Sequence, residues 1–275
     1  AADVRSFPLD IKGKTSMRLK DKHKYQAIRD ISTALSEMNK LGYVHRDIKG
    51  DNIFLKYDES SDAMKGYLAD FDLVTKRNTR EFKSHYFYWD FLSENGVVTS
   101  RSDTLGLAMC IGEVLIPNFY GTYKDNPRVL RNQSDVDLKL LEGLFNEIHN
   151  KTVEMTPETF QALYTTYNAN QDEDALFSGI QTATGIYTED IQELRKNWVI
   201  RKELFTILNR ILKKDQAVRE YFSIDENRDL LKRLVDKNYS LSEALQTIDQ
   251  KIPPLDLEEI AREIQEVVER YLHKL

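Results

Sequence analysis

The residues from Val44 to Asn52 combine the side chains that chemistry at a phosphate group requires. Asp47 could accept the proton of an attacking hydroxyl, and Lys49 could place its ammonium on the transferring phosphate. Asn52 and the more distant Asp70 offer oxygen atoms, the hard ligands that Mg²⁺ prefers and that also suit Mn²⁺. We therefore expect phosphoryl transfer with ATP as co-substrate, and a divalent cation held by Asn52 and Asp70.

Two kinds of element must position this loop. Before it, apolar residues recur at steps of three and four through residues 26–40, which predicts an amphipathic helix ending near Gly42. After it, two short apolar runs at 53–55 and 66–69 flank a polar turn and predict a β-hairpin. Asp70 would then lie where the second strand ends, close to the loop that carries Asp47.

The stretch from Tyr43 to Leu55 resembles the catalytic loop of eukaryotic-type Ser/Thr protein kinases, and the triplet 70–72 resembles their metal-binding motif. A Lys two residues after the Asp is the pattern of Ser/Thr rather than Tyr kinases in that family. The resemblance implies the roles given above and places Phe54 at the floor of the adenine pocket, while an ordinary core aromatic is the alternative interpretation. It also implies that His45 packs beneath the loop rather than taking part in catalysis.

The resemblance extends to two later helices. Asp103 opens a run, 107–116, that is apolar on almost every face, as a buried helix is. In the family the Asp at this position binds the backbone of the catalytic loop. Arg219 matches an Arg that pairs with an acid closing the activation segment. Spacing to Asp103 makes Asp90 the first candidate for that acid and Glu94 the second.

The chain departs from the family pattern in two ways. Asp72 replaces the usual Gly, which removes backbone freedom and adds a negative charge beside the metal site. In addition, no Gly-rich phosphate loop and no strand Lys precede residue 44. We therefore expect this chain to lack the N-lobe, which the same full-length chain or a separate fragment would supply. Alone, the chain is expected to be incomplete for activity.

The activation segment, residues 73–89, carries three hydroxyl side chains, those of Thr75, Thr79 and Ser84. They lie near four cations in the sequence: Lys76, Arg77, Arg80 and Lys83. Since Arg46 precedes Asp47, a phosphate on one of these hydroxyls could pair with Arg46 and order the segment. The alternative is a basic loop that is simply solvated. The short, irregular segment differs from typical animal and fungal kinases and leaves open a bacterial protein that acts in a host.

These patterns predict a mainly α fold. We expect a protein-kinase-like C-lobe, which is a helical bundle with a short β-hairpin at the catalytic loop, and extra C-terminal helices. The C-lobe would span 1–224 with a helical insert at about 117–200, and 225–275 would form a C-terminal helical extension. The last helix, from Asp256, has an apolar stripe that would dock on its own domain or on a partner.

Composition narrows the class of protein. With 39 Lys and Arg against 45 Asp and Glu, the 275 residues carry a net charge of −6, which argues against nucleic acid as a partner. The single Cys110 excludes a disulfide within the chain. The sequence contains no apolar run long enough for a membrane span and no signal-peptide pattern. The expected location is the cytoplasm, or the host cytosol if the protein is a secreted bacterial effector.

Two functions remain open. In the first, the chain is the catalytic part of a kinase that phosphorylates Ser or Thr of a protein substrate. In the second, it is a catalytically weak, kinase-like (pseudokinase) module that binds a protein partner through its extra helices. Retention of Asp47, Lys49, Asn52 and Asp70 favours the enzyme, because a scaffold has no need of them. The loop chemistry is indifferent to the owner of the hydroxyl, so lipid and small-molecule acceptors also remain open.

Overall fold

The computed structural model describes residues 21–81, 90–116, 157–170, 172–185 and 187–272, together with single helical positions between 119 and 144. The fold is mainly helical with a few short strands and is of the kinase C-lobe type, as predicted. Ser84 lies outside the described residues. No helix in the described part of the chain is long and apolar enough to cross a membrane.

The described helices are α1 (Asp21–Lys40), α2 (Phe91–Glu94), α3 (Arg101–Leu115), α4 (Pro157–Asn170), α5 (Glu173–Thr184), α6 (Thr188–Ser223), α7 (Arg228–Val235), α8 (Leu241–Lys251) and α9 (Leu257–Leu272). The described strands are β1 (Tyr43–Val44), β2 (Ile53–Asp58), β3 (Ala63–Leu68), β4 (Thr75–Lys76), β5 (Thr79–Arg80) and β6 (Val97–Val98). They form three antiparallel pairs, β1 with β4, β2 with β3, and β5 with β6. The chain divides into two compact units, one drawn from Ala1–Val114 and Thr206–Leu275 and the other from Leu115–Phe205.

In the first unit, α1 supports the hairpin formed by β2 and β3. The backbone N–H of Gly66 donates to Asp30 Oδ2 at 3.0 Å, and that of Met64 donates to Gln26 Oε1 at 2.8 Å. A Cβ on Gly66 would lie 3.0 Å from the carbonyl oxygen of Ala27, a tight contact that would require α1 or the strand to shift slightly. Side chains of α1 thus satisfy the outer edge of β3, and the hairpin is fixed on the helix that leads into the catalytic loop.

The last helix, α9, packs on α1. Its buried apolar stripe comprises Leu257, Ile260, Ala261, Ile264, Val267, Val268 and Tyr271. The rings of Tyr25 and Tyr271 meet edge to face with their centroids 5.6 Å apart. Asp256 caps the helix by accepting from the backbone N–H of Glu258 at 2.9 Å. The stripe therefore docks on its own unit, the first of the two predicted alternatives.

Helices α7 and α8 complete a second apolar cluster under the activation segment, with buried members Leu92, Val97, Val218, Phe222, Leu230, Leu234, Ala244, Leu245 and Ile248. Arg80, in β5, binds the activation segment to α7 through hydrogen bonds. Its Nε donates to the carbonyl of Leu234 at 2.6 Å, and its Nη2 donates to that of Arg233 at 2.9 Å. Residues 225–275 thus supply part of the support beneath the segment, within the first unit.

The second unit has its own core. Trp198 is fully buried and meets Tyr167 edge to face, with 6.0 Å between ring centroids. Its indole N–H donates to Glu173 Oε1 at 3.1 Å. The buried guanidinium of Arg201 donates to the carbonyl oxygen of Leu115 at 2.7 Å, which satisfies a backbone group at the end of α3.

Helix α3 is buried along almost its whole length, as its apolar sequence predicts. Burial raises the pKa of the Cys110 thiol to about 12, so this thiol stays protonated and unreactive. At Gly106 a Cβ would lie only 2.7 Å from the Cβ of Ile48 in the catalytic loop. The absence of a side chain at this position therefore sets how closely α3 approaches the loop.

We predict that Gly106→Ala destabilises the protein by about 1–3 kcal/mol, because the added methyl must displace Ile48. Helix propensity alone would favour Ala by roughly 1 kcal/mol, so the two effects have opposite signs. The free energy of unfolding in urea measures the difference. A variant as stable as the wild type or more stable would show that the loop does not rest on this contact.

Candidate active site

One buried carboxylate binds the backbone of the catalytic loop, residues 44–52. The backbone N–H groups of His45 and Arg46 donate to Asp103 Oδ2 and Oδ1 at 2.7 and 2.8 Å. Asp103 lies in the first turn of α3 and is fully buried. Burial raises its pKa to about 6, although the two hydrogen bonds and the charge of Arg46 favour the anion. The contact expected for Asp103 is present.

Arg46 links the loop to the activation segment. Its φ of 75° is in the left-handed region, which is costly for a long side chain. Its Nη1 donates to Glu81 Oε2 at 2.6 Å. The side chain of Arg46 is 1% exposed and that of Glu81 is 28% exposed. A carboxylate from the segment therefore binds the guanidinium with which a phosphate on Thr75, Thr79 or Ser84 could pair.

Asp47 has two oxygens in different environments. Oδ2 accepts from Lys49 Nζ at 2.7 Å and from Asn52 Nδ2 at 2.8 Å. The same amide nitrogen donates to the backbone carbonyl of Asp47, also at 2.8 Å. Oδ1 is buried and accepts no hydrogen bond from the described residues. The carboxylate is thus held in one orientation through Oδ2, which Lys49 and Asn52 bind.

The hairpin brings the second acid to the loop. Ile53 pairs with Leu68, and the backbone N–H of Ala69 donates to the carbonyl of Asn52 at 2.9 Å. Asp70 follows at once with a φ of 61°, a left-handed conformation that turns the chain out of the strand. Asn52 lies just before β2 and Asp70 shortly after β3. The two residues are therefore at the same end of the hairpin, although 18 positions separate them in the sequence.

This donor set fits a hard cation. The amide nitrogen of Asn52 is held by Asp47, which leaves its amide oxygen as a ligand, and the exposed Asp70 offers a carboxylate. Among the described residues, no group of three or more His, Cys, Asp or Glu side chains could bind a metal. Two oxygen ligands with few others suit Mg²⁺, which keeps several waters and takes part of its coordination from substrate phosphates.

The departure at Asp72 costs no backbone strain. The left-handed conformation in this triplet belongs to Asp70, and Asp72 does not share it. Its carboxylate is exposed in a turn closed by a hydrogen bond from Val74 N–H to the carbonyl of Phe71, 3.1 Å long. The effect that we expect of Asp72 is therefore the negative charge that it adds near Asp70.

His45 packs beneath the loop. It is fully buried, and its Nε2–H donates to the carbonyl of Ala69 at 3.1 Å. The rings of His45 and Phe71 lie 5.2 Å apart. Burial lowers the pKa of His45, so its imidazole is neutral near pH 7. His45 therefore packs between the catalytic loop and the triplet 70–72, as expected.

Phe54 is not a core residue. Its side chain is 47% exposed on the open face of the hairpin, whereas its neighbours Ile53 and Leu55 are buried on the other face. The alternative interpretation of Phe54 as an ordinary core aromatic is therefore wrong. An exposed ring beside Asn52 is compatible with a place in a nucleotide site.

Arg219 binds two acids. Its Nη1 and Nη2 donate to Glu94 Oε2 and Oε1 at 2.8 and 2.9 Å, in the two-point geometry typical of Arg with a carboxylate. Its Nε donates to Asp215 Oδ2 at 2.9 Å. Burial opposes the charge of Arg219, but the bonds to Glu94 and Asp215 outweigh it and raise the pKa of the guanidinium.

The carboxylate that closes the segment is therefore Glu94, the second candidate, and not Asp90. Asp90 instead caps α2, where it accepts from the backbone N–H groups of Leu92 and Ser93 at 3.0 and 3.3 Å. It is fully buried, and burial raises its pKa to about 6. The N-cap position turns its side chain toward its own helix, whereas Glu94 lies one turn further on.

Sequence reasoning missed two residues of this assembly. Glu81 was not singled out, because an acid in a basic stretch carries no motif of its own. Arg80 was counted only among the cations of the segment, although it binds three backbone carbonyls, those of Arg233, Leu234 and Tyr239. No local signal could have found these contacts, since their partners lie more than 150 residues away or depend on the buried position of Arg46.

Comparison with known families supports a kinase. Residues 9–86 match the model of the lipopolysaccharide kinase (Kdo/WaaP) family. The match covers less than a third of the chain, and it includes α1, the catalytic loop, the hairpin and Asp70. A search of curated proteins gave no match. The chain is therefore a kinase-like protein, and the match does not support the narrower resemblance to eukaryotic-type Ser/Thr protein kinases.

The raised pKa of Asp103 predicts a pH dependence. Because the pKa in the folded protein, about 6, exceeds the ordinary 3.8, the folded state binds more protons than the unfolded state between about pH 4 and 6. The contribution of Asp103 to the free energy of unfolding therefore falls as the pH rises through that window. In the variant Asp103→Asn this group does not titrate. The wild-type value minus the variant value should thus fall by at most about 3 kcal/mol between pH 4 and 6.

Urea unfolding of both proteins at several pH values measures this difference, which should become constant above about pH 7. A difference that does not change between pH 4 and 6 would show that the Asp103 carboxylate is already ionised at pH 4.

The pair between Arg46 and Glu81 predicts that residues 73–81 are ordered without phosphate. Glu81→Gln leaves a buried guanidinium without that charge and should cost about 2 kcal/mol, less than for a fully buried pair because Glu81 is partly exposed. The free energy of unfolding and the rate of proteolysis within residues 73–81 report the loss. The matched control is Glu59→Gln, an exposed acid in the hairpin turn. Equal losses in the two variants would contradict this role of Glu81.

Proposed function

We propose that this chain transfers the γ-phosphoryl group of ATP to a hydroxyl group, with Asp47 as the base. The observation that carries the proposal is the Asp47 carboxylate, which Lys49 Nζ and Asn52 Nδ2 hold in one orientation through its Oδ2. A base that is held in one orientation can receive the proton of a hydroxyl placed in line with the phosphate. Such an arrangement has no evident use in a module that only binds a partner.

In the proposed reaction the hydroxyl oxygen forms a bond to the γ-phosphorus, and its proton passes to the carboxylate of Asp47. The bond between the γ-phosphorus and the β–γ bridging oxygen breaks, and ADP leaves. Lys49, a quarter exposed and 2.7 Å from Asp47, is placed to share its ammonium between the base and the transferring phosphate. Asn52 and Asp70 would hold Mg²⁺ or Mn²⁺, which neutralises phosphate charge when bound.

The favoured acceptor is a sugar hydroxyl. Its support is the match to a lipopolysaccharide kinase family, which covers the residues that would perform the reaction. A Ser or Thr hydroxyl of a protein is the second candidate, and its support is the position of Lys49 two residues after Asp47. The acceptor need not alter the roles of the loop residues, because the chemistry at Asp47 concerns only the hydroxyl.

The expectation of a separate N-lobe remains a proposal. Within the catalytic machinery of protein kinases, a strand Lys and a Gly-rich loop hold the ATP phosphates. Here the phosphate contacts that we assign come from Lys49 and, through the cation, from Asn52 and Asp70. The turnover of the 275-residue chain alone therefore reports whether its own residues are sufficient.

We predict that Asp47→Asn lowers the rate of phosphoryl transfer by roughly 10²- to 10⁴-fold, the usual range for loss of a general base. Asp70→Asn should raise the Mg²⁺ concentration needed for half-maximal rate. The assay follows transfer of radioactive phosphate from ATP to a deacylated lipopolysaccharide core oligosaccharide, to a Ser/Thr-containing peptide mixture and to water. The matched control is Asp51→Asn, since Asp51 is exposed in the same loop and should leave the rate unchanged.

The distribution of phosphate among the three acceptors decides between the acceptor classes. Transfer to the oligosaccharide but not to peptide supports the sugar hydroxyl, and the reverse supports Ser or Thr. If the wild type and Asp47→Asn transfer phosphate equally slowly to all three, the enzymatic proposal fails and the binding module becomes the better interpretation.

A further inference from the structure

The open face of the hairpin carries a pair of exposed aromatic rings. Phe54 in β2 and Tyr67 in β3 are direct partners in the antiparallel register, so their side chains project from the same face. Each is 47% exposed, although a buried position is the ordinary one for residues of this size. In the described part of the chain, neither ring is stacked on or edge-on to another aromatic ring.

This pair lies beside the phosphoryl-transfer site. Phe54 follows Asn52 by two residues, and Tyr67 precedes Asp70 by three. At about 3.3 Å per strand residue, the pair lies roughly 7 to 10 Å along the hairpin from the residues assigned to the cation. A nucleotide whose phosphates meet Asn52 and Asp70 would extend along this face and bring its base to the two rings.

The next pair along the same face identifies the kind of occupant. Lys56 lies directly opposite Lys65, and both side chains are exposed. Like charges directly opposite each other are unfavourable. An apolar protein surface that covered the rings would also have to remove water from the ammonium groups of Lys56 and Lys65. A purine base is small enough to cover the two rings while both ammonium groups stay in water, so it avoids this desolvation. The face therefore suits a nucleotide better than an apolar partner.

We propose that Phe54 and Tyr67 together form the floor on which the purine base of ATP stacks, which makes Tyr67 a nucleotide-binding residue. This inference rests on the proposed function, since it takes the phosphate end of the nucleotide from Asn52 and Asp70. Stacking tolerates any purine, because every base presents an aromatic face. Tyr67 should therefore contribute equally to the binding of ATP and GTP.

The test is calorimetric binding of three probes in the presence of Mg²⁺: ATP, GTP and inorganic tripolyphosphate, which has no base. Tyr67→Ala should raise the Kd for ATP and for GTP roughly 5- to 100-fold, and leave the Kd for tripolyphosphate within about twofold. Tyr67→Phe keeps the ring and should bind all three like the wild type. The matched control is Tyr239→Ala, which removes a ring of similar exposure, 49%, elsewhere in the first unit.

Thermal unfolding first checks that each variant is folded, and if Tyr67→Ala is not, Tyr67→Leu is used to remove the ring. An unchanged Kd for ATP in the ring-deleted variant overturns the proposal, and so does an equal loss for ATP and tripolyphosphate. Absence of ATP binding by the wild type overturns it as well. Tyr67-dependent binding without turnover would instead contradict only the proposed phosphoryl transfer. Turnover with binding that is independent of Tyr67 would contradict only this inference.

Discussion

The two hydrogen bonds that join the backbone of His45 and Arg46 to Asp103 are the constraint on which the rest of the site depends. They hold the chain just before Asp47, at a residue whose φ of 75° would relax if it were released. The helix that carries Asp103 is buried on almost every side, and Gly106 lets it approach the loop closely. The position of the proposed base therefore follows from the packing of α3.

Burial of the carboxylates that anchor these segments is unfavourable for folding, and hydrogen bonds to the carboxylates offset part of this free energy. Asp103 and Asp90 are both fully buried, and burial raises the pKa of each to about 6, so neither charge is well compensated. Each carboxylate nevertheless accepts two backbone N–H bonds, which fixes a chain segment that would otherwise be free to move. Arg46 and Arg219 add bonds to Glu81 and Glu94 on the same segments. The buried charges therefore lower the free energy of unfolding, while their hydrogen bonds define the geometry of the loop and of the segment that follows it.

Sequence reasoning could predict what depends on local spacing. The helix before the loop, the hairpin after it, the buried helix at Asp103 and the mainly helical fold all follow from short-range patterns, and the structure contains them. It could not decide between Asp90 and Glu94 as partners of Arg219, because the choice depends on which residue becomes the N-cap of a four-residue helix. Glu81 was missed for a similar reason. Its importance comes from the burial of Arg46, a property of the folded chain.

The same distinction separates the reaction from its acceptor. The residues assigned to proton transfer, phosphate and cation lie between positions 47 and 70, inside the region that matches the lipopolysaccharide kinase family. Their geometry concerns one hydroxyl and one phosphate, and it would serve a sugar or a Ser side chain equally well. Discrimination between acceptors must come from surfaces that contact the remainder of the acceptor. Much of the chain that could form such surfaces, including the supporting helices α7 to α9, lies beyond residue 86 and outside the match. The family match therefore bears more directly on the chemistry than on the acceptor.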